Sequence, residues 1–146
     1  MRRPVALSLL LSSSLALAAC GTATSTAGFK GTRHEVAQTI ADLQSEITGG
    51  EQKKVCENVL AASVVTSLGG QKSCEKAIKD QLAEIDNTEL EVESVTVSGT
   101  TATAEVKSVY AGRKTPKATV ALVKEGGKWK IASLTAPPAA PAAKKA

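Results

Sequence analysis

Three cysteines, one histidine and one tryptophan hold most of the side-chain chemistry available to this 146-residue chain. Cys56 and Cys74 lie 18 positions apart in VCENVLAASVVTSLGGQKSC, residues 55–74. Such a pair can act in redox exchange, supply half of a metal site or cross-link the chain, and the compartment decides among these. The spacing is not Cys-x-x-Cys, and zinc would need further ligands where His34 is the sole histidine. His34 falls in the first turn of a helix, where solvated surface is expected. No Gly-rich phosphate loop follows a strand, and the chain has no HExxH, no Gly-x-Ser-x-Gly and no completable Ser/His/Asp set. The expectation is therefore no enzyme, no catalytic residue, no cofactor and no metal.

The compartment is legible at the N-terminus. Arg2 and Arg3 precede an apolar stretch, Val5 to Leu17, broken only by serines. It is shorter than the roughly 20 residues a spanning helix needs, which marks a secretory signal over 1–19. The residues at its end, Leu17-Ala18-Ala19-Cys20, resemble the lipobox of bacterial lipoproteins. That resemblance implies a diacylglyceryl group on the Cys20 sulfur and a mature chain beginning there, anchored to the extracytoplasmic face of the cell membrane. Each buried methylene contributes about 0.8 kcal/mol, so two acyl chains anchor stably where one does not. Residues 20–31, with the small polar run Gly21 to Gly28, read as a flexible tether, and the Pro/Ala-rich stretch 136–146 reads as a tail. One domain over 32–135 remains.

With Cys20 lipidated, Cys56 and Cys74 are the remaining pair, and an exported chain favours a disulfide between them. Twelve of the 18 basic and all 14 acidic side chains lie within 34–135, a net of −2, which excludes a basic nucleic-acid binder. Glu84, Asp86, Glu89, Glu91, Glu93 and Glu105 precede Lys107, Arg113, Lys114, Lys117, Lys124, Lys128 and Lys130. Neighbouring strands are expected to pair these signs on a solvent face.

Thr32-Arg-His-Glu35 has the pattern of a capping box, and Val36, Ile40, Leu43 and Ile47 then share a helical face up to Gly49-Gly50. Val55, Cys56, Val59 and Leu60 continue as a second helix with a short segment, 63–68, behind it. Ser73 is placed to cap a third helix bearing Cys74, Ile78, Leu82 and Ile85. Beyond Asn87 the period becomes two. Leu90 and Val92 fall on one parity and Val95 and Val97 on the other, which predicts a β-bulge near Glu93-Ser94. Thr101–Tyr110 follows as a strand. Lys117–Lys124 and Lys128–Leu134 form a hairpin about Gly126-Gly127. The fold class is α+β: three N-terminal helices packed on a bent four-stranded antiparallel sheet.

This order, the cysteine-bearing helix pair and the closing EGGKWKIASL resemble the NTF2-like, cystatin-like cone, and small lipid-anchored bacterial domains of unknown function in particular. Alternation along the strands turns Ala102, Ala104, Val106, Val120, Leu122, Trp129 and Ile131 inward, with Tyr110 near a strand end. These eight residues are the candidate cavity lining, although close packing by the small alanines is the default. NTF2-like enzymes place acids or bases inside the cone, and these positions carry none. The expected role is non-catalytic ligand binding or protein interaction in the envelope, with a small hydrophobic ligand or an envelope protein as partner. An NTF2-like enzyme on a hydrophobic substrate and a structural envelope spacer are the alternatives. Relatives of that fold often pair through the open face of the sheet, so the resemblance also admits a homodimer.

Overall fold

The computed structural model describes residues 24–82, 89–110, 113–114 and 117–135, with the side chains of residues 82, 110, 113, 114, 134 and 135 outside the description. Helix α1 spans Thr32–Thr48 and buries Val36, Ala37 and Ile40, the face its periodicity predicts. Its start departs from the expected capping box. Gly31 occupies the N-cap position and no side chain caps the helix. Thr32 is thereby already helical, and Glu35 is released for a distant partner. The helix ends at Gly50, whose φ of 70° is a conformation that glycine adopts without steric cost. Gly50 N–H donates to the Ile47 carbonyl and Glu51 N–H to the Glu46 carbonyl, which satisfies the last turn.

The expected second helix is a single turn, α2 (Gln52–Lys54), that widens into a π-helical turn, Val55–Val59. The Leu60 N–H reaches back five residues to the Val55 carbonyl. Helix α3 (Ala62–Ser67) and helix α4 (Gln71–Leu82) follow. Helix α4 starts two residues before Ser73, which is consequently inside it and not its cap; Ile85 lies outside the described residues. Counted separately, the described helices number four, where three were expected.

Strands β1 (Glu89–Ser98), β2 (Thr101–Tyr110), β4 (Ala118–Glu125) and β5 (Lys128–Thr135) form an antiparallel sheet in the order β1-β2-β4-β5, and the two-residue β3 (Arg113–Lys114) pairs with β2. The register of β1 against β2 shifts between Val92 and Ser94, leaving Glu93 as the extra residue where the parity change predicts it. The bulge lets Val92 and Val95 both face inward. A second shift, between Ala121 and Leu122 against β5, leaves Ala132 unopposed and has no counterpart in the sequence reading. The Gly126-Gly127 turn closes the β4–β5 hairpin with positive φ at both positions, 56° and 81°, as a two-residue turn requires.

The helices cover one face of the sheet, and a single apolar core fills the space between. Ala102, Ala104, Val106, Val120, Leu122, Trp129 and Ile131 all point into it, at most 5% exposed. They pack with Val36, Ile40, Val55, Val59 and both cysteines. The small alanines let helix and sheet approach closely, the packing expected by default.

Candidate functional site

Cys56, on the π-helical turn, and Cys74, in the first turns of α4, form a disulfide with Cα atoms 6.2 Å apart. Both are buried, and Cys74 is the only buried side chain among the described residues of α4. That helix packs on α2, the π-helical turn and α3, so the bridge joins it to the core. Cys20, the signal segment 1–19 and the tail 136–146 lie outside the described residues, as does the side chain of Tyr110. No helix among the described residues is long and apolar enough to cross a membrane.

The segment read as a tether behaves differently from a free strand of polar chain over part of its length. Thr24 is buried and Phe29 packs against the core. Phe29 is the chain's one phenylalanine, and that was the available signal.

Trp129 joins helix to hairpin. Its Nε1–H donates to Glu35 Oε2 at 3.3 Å, and its carbonyl accepts from Thr39 Oγ1 at 3.5 Å. Lys124 Nζ stands 5.6 Å from the ring centroid and 3.7 Å from the same Glu35 oxygen. This is where Glu35, freed from the capping role, is used. Beside it a cleft of about 430 Å³ runs between α1, the π-helical turn and the hairpin, bordered by His34, Gln38, Asp42, Asn58, Lys128 and the edge of Trp129. Of the seven interior candidates whose side chains are described, Trp129 alone borders it, and His34 is exposed there as expected. Carboxylates and amides at such a rim can hydrogen-bond a polar surface, while a stacked ligand would need a more open Trp129. A second cleft, of about 360 Å³ between α2 and α4, is bordered by Lys53, Lys72, Lys76, Lys79, Glu51 and Glu75.

The charges of the sheet pair as expected. Glu93 contacts both Lys107 and Lys117, and Lys117 also reaches Glu105 at 3.3 Å. Hydrogen bonds from Lys107 and then Lys117 hold the Glu93 carboxyl below its usual range, and its partner Lys117 is raised. Burial lowers Lys130, whose ammonium donates to the Glu57 carbonyl at 2.6 Å. No group of three His, Cys, Asp or Glu able to hold a metal occurs among the described residues. The buried polar side chains among them are Thr24, Thr39 and Gln44.

A family described as "Low molecular weight antigen MTB12, C-terminal domain" matches residues 37–146. No curated protein matches the chain. Among solved structures, a de novo designed NTF2 fold protein aligns at 16% identity over 75% of this chain and 90% of its own, with a TM-score of 0.50. An NTF-2 like protein of unknown function from Silicibacter pomeroyi DSS-3 aligns at 16% identity over 72% and 96%, TM-score 0.48. The chain spans 61% of a de novo designed protein with curved β-sheet, at 18% identity over 44% of this chain, TM-score 0.37. The first of these, together with the helix order and sheet topology, gives the fold as NTF2-like.

Proposed function

The chain belongs to the MTB12 C-terminal domain family, and on that premise we propose that it is an exported envelope protein, anchored in the cell membrane by a diacylglyceryl group on Cys20, whose NTF2-like domain binds a partner without catalysing a reaction. The observation that carries this reading is the buried Cys56–Cys74 bridge. Structural disulfides persist outside the reducing cytoplasm, so the bridge supports export independently of Leu17-Ala18-Ala19-Cys20.

The packing of the cone supports a binding role at the surface. Positions from which an NTF2-like enzyme would present an acid or base are occupied by aliphatic side chains and by Trp129, whose one polar atom is bonded to Glu35. A hydrophobic substrate or ligand inside the cone would have to displace this packing. Surface partners, an envelope protein foremost, would not.

Four measurements on the exported protein test the reading. Mass spectrometry of the mature N-terminus is expected to find Cys20 as its first residue and acylated, and Cys20→Ala is expected to move the protein from the membrane to the soluble fraction. Alkylation without reductant is expected to leave Cys56 and Cys74 unmodified. Native mass spectrometry of never-reduced protein is expected to find no small molecule in the cone. A Cys20→Ala protein that stays in the membrane fraction, or free reactivity of both cysteines, overturns the anchored and exported assignment; a co-purifying ligand of small mass overturns the filled cone.

A further inference from the structure

Both sheet turns, Gly99-Thr100 and Gly126-Gly127, lie at one end of the sheet, since β1 and β4 run toward it and β2 and β5 run away. A hydrogen bond from Lys124 N–H to the Thr100 carbonyl ties the two turns together. The start of α1 lies at the same end, held by the contacts of Glu35 with Trp129 and Lys124. The chain enters there from the segment that docks at Thr24 and Phe29. Thr24 is four Cα-to-Cα steps from Cys20, a reach of at most about 14 Å. An acyl group on Cys20 would therefore hold Thr24, seven residues before Gly31 at the start of α1, within about 14 Å of the lipid headgroups.

The charge at this end fits that placement. Lys30, Arg33 and Lys128 are exposed, and none has a carboxylate partner among the described residues. Lys124 is the fourth cation. The carboxylates near it are engaged within the domain: Glu35 by Trp129 and Lys124, Glu125 by the Ala62 N–H at the start of α3, 3.1 Å away, and Asp42 and Glu46, which border the cleft shared with Lys128, by Gln38 and Lys54. Further along the strands the signs pair among the described residues, with Glu93 set against Lys107 and Lys117 and Glu105 against Lys117.

We propose that this turn end, with Lys30, Arg33 and Lys128, rests on the anionic phospholipid surface of the membrane, so that the strands stand away from the bilayer and the far end is presented outward. The proposal rests on Cys20 being the anchored residue and adds an orientation to it. Each cation brought close to an anionic surface is worth roughly fivefold in partitioning, and the contact weakens as salt is raised.

The test uses acylated protein purified from membranes and placed on vesicles of phosphatidylcholine with or without 30% phosphatidylglycerol, a composition chosen to supply an anionic surface. A water-soluble amine-acylating reagent is applied and the digest is read by mass spectrometry, which also reports the acyl group on Cys20. On the anionic vesicles Lys30 and Lys128 are expected to label at least about threefold more slowly than on neutral ones, with the difference abolished by molar salt, while Lys76 and Lys79 label equally on both. Arg33→Glu combined with Lys128→Glu is expected to remove the protection of Lys30. Equal labelling of Lys30 and Lys128 on both vesicles, in protein that carries the Cys20 acyl group, overturns the orientation and leaves the anchor standing. A Cys20 without an acyl group overturns both.

Discussion

Opening the Cys56–Cys74 bridge should cost the domain a large fraction of its stability without changing its fold. The bridge closes a loop of 18 residues, and the chain-entropy model assigns such a loop about 3 kcal/mol at 25 °C, acting on the unfolded chain. Domains of this size are stable by roughly 5–15 kcal/mol. Reduction keeps both buried sulfurs in place and isolates the loop term. Replacing both residues by alanine also removes the packed sulfur atoms, which adds about 1–2 kcal/mol of cavity and contact loss. The expectation is thus a loss of about 3 kcal/mol on reduction and about 4–5 kcal/mol in Cys56→Ala/Cys74→Ala, or a fall in Tm of about 15 °C for the reduced form. Urea unfolding followed through Trp129, the one tryptophan and a buried one, gives these values directly. The m value should rise on reduction, because the unfolded chain expands once the loop is released. Hydrogen exchange should quicken first in α4, whose one fully buried side chain among the described residues is Cys74. A loss below about 1 kcal/mol, with an unchanged m value, would refute the loop argument.

Other perturbations address single contacts. Glu35→Ala should destabilise by about 1–2 kcal/mol, since it leaves the Trp129 N–H without its acceptor, while Glu35→Gln should cost less than half of that; thermal unfolding and Trp129 emission read both. Glu125→Ala removes the side chain that accepts from Ala62 N–H at the start of α3, and should cost about 1 kcal/mol, as an N-cap loss does, in urea titrations. Leu122→Ala, at a position 1% exposed, should cost about 2–5 kcal/mol in the same titration. The Glu93 carboxyl is held below 4.5 in the folded state, so its contribution is fully present above that value and is lost as pH falls through the depressed folded value. Glu93→Gln should accordingly flatten stability against pH in the acid range below 4.5 and leave it unchanged in shape near neutrality.

What the sequence disclosed and what it withheld divide along the range of the interactions. The bulge at Glu93 was legible because Leu90 and Val92 before it and Val95 and Val97 after it sit on opposite parities, and a buried face tolerates no such change without an inserted residue. The hairpin at Gly126-Gly127 and the inward Trp129 were legible from turn chemistry and alternation. The second bulge was not, because Ala132 and Ser133 are both small and neither parity announces a face. The capping box failed because a local pattern, Thr32 to Glu35, competed with a partner 94 residues away, and nothing near Glu35 signals Trp129. The start of α4 at Gln71 was missed because Ser73 is a good cap residue in isolation. Phe29 stood in a stretch read by its glycines and threonines, and one aromatic there outweighed the composition around it. The two clefts, each bordered by residues from several elements, had no sequence signal at all.

The segment that leaves the π-helical turn has an effect beyond the packing of helices. Leu60 bridges to Ile131 in parallel, and Ala61 N–H donates to the Ile131 carbonyl, so the outer edge of β5 is already occupied at its centre. At the opposite edge the Gln44 side chain accepts from the Leu90 N–H near the beginning of β1, and the Glu93 bulge interrupts the ladder further along. Among the described residues, neither border of the sheet offers a long uninterrupted row of hydrogen-bonding groups to another chain. The same residues that seat helix on sheet thereby act against edge-to-edge polymerisation.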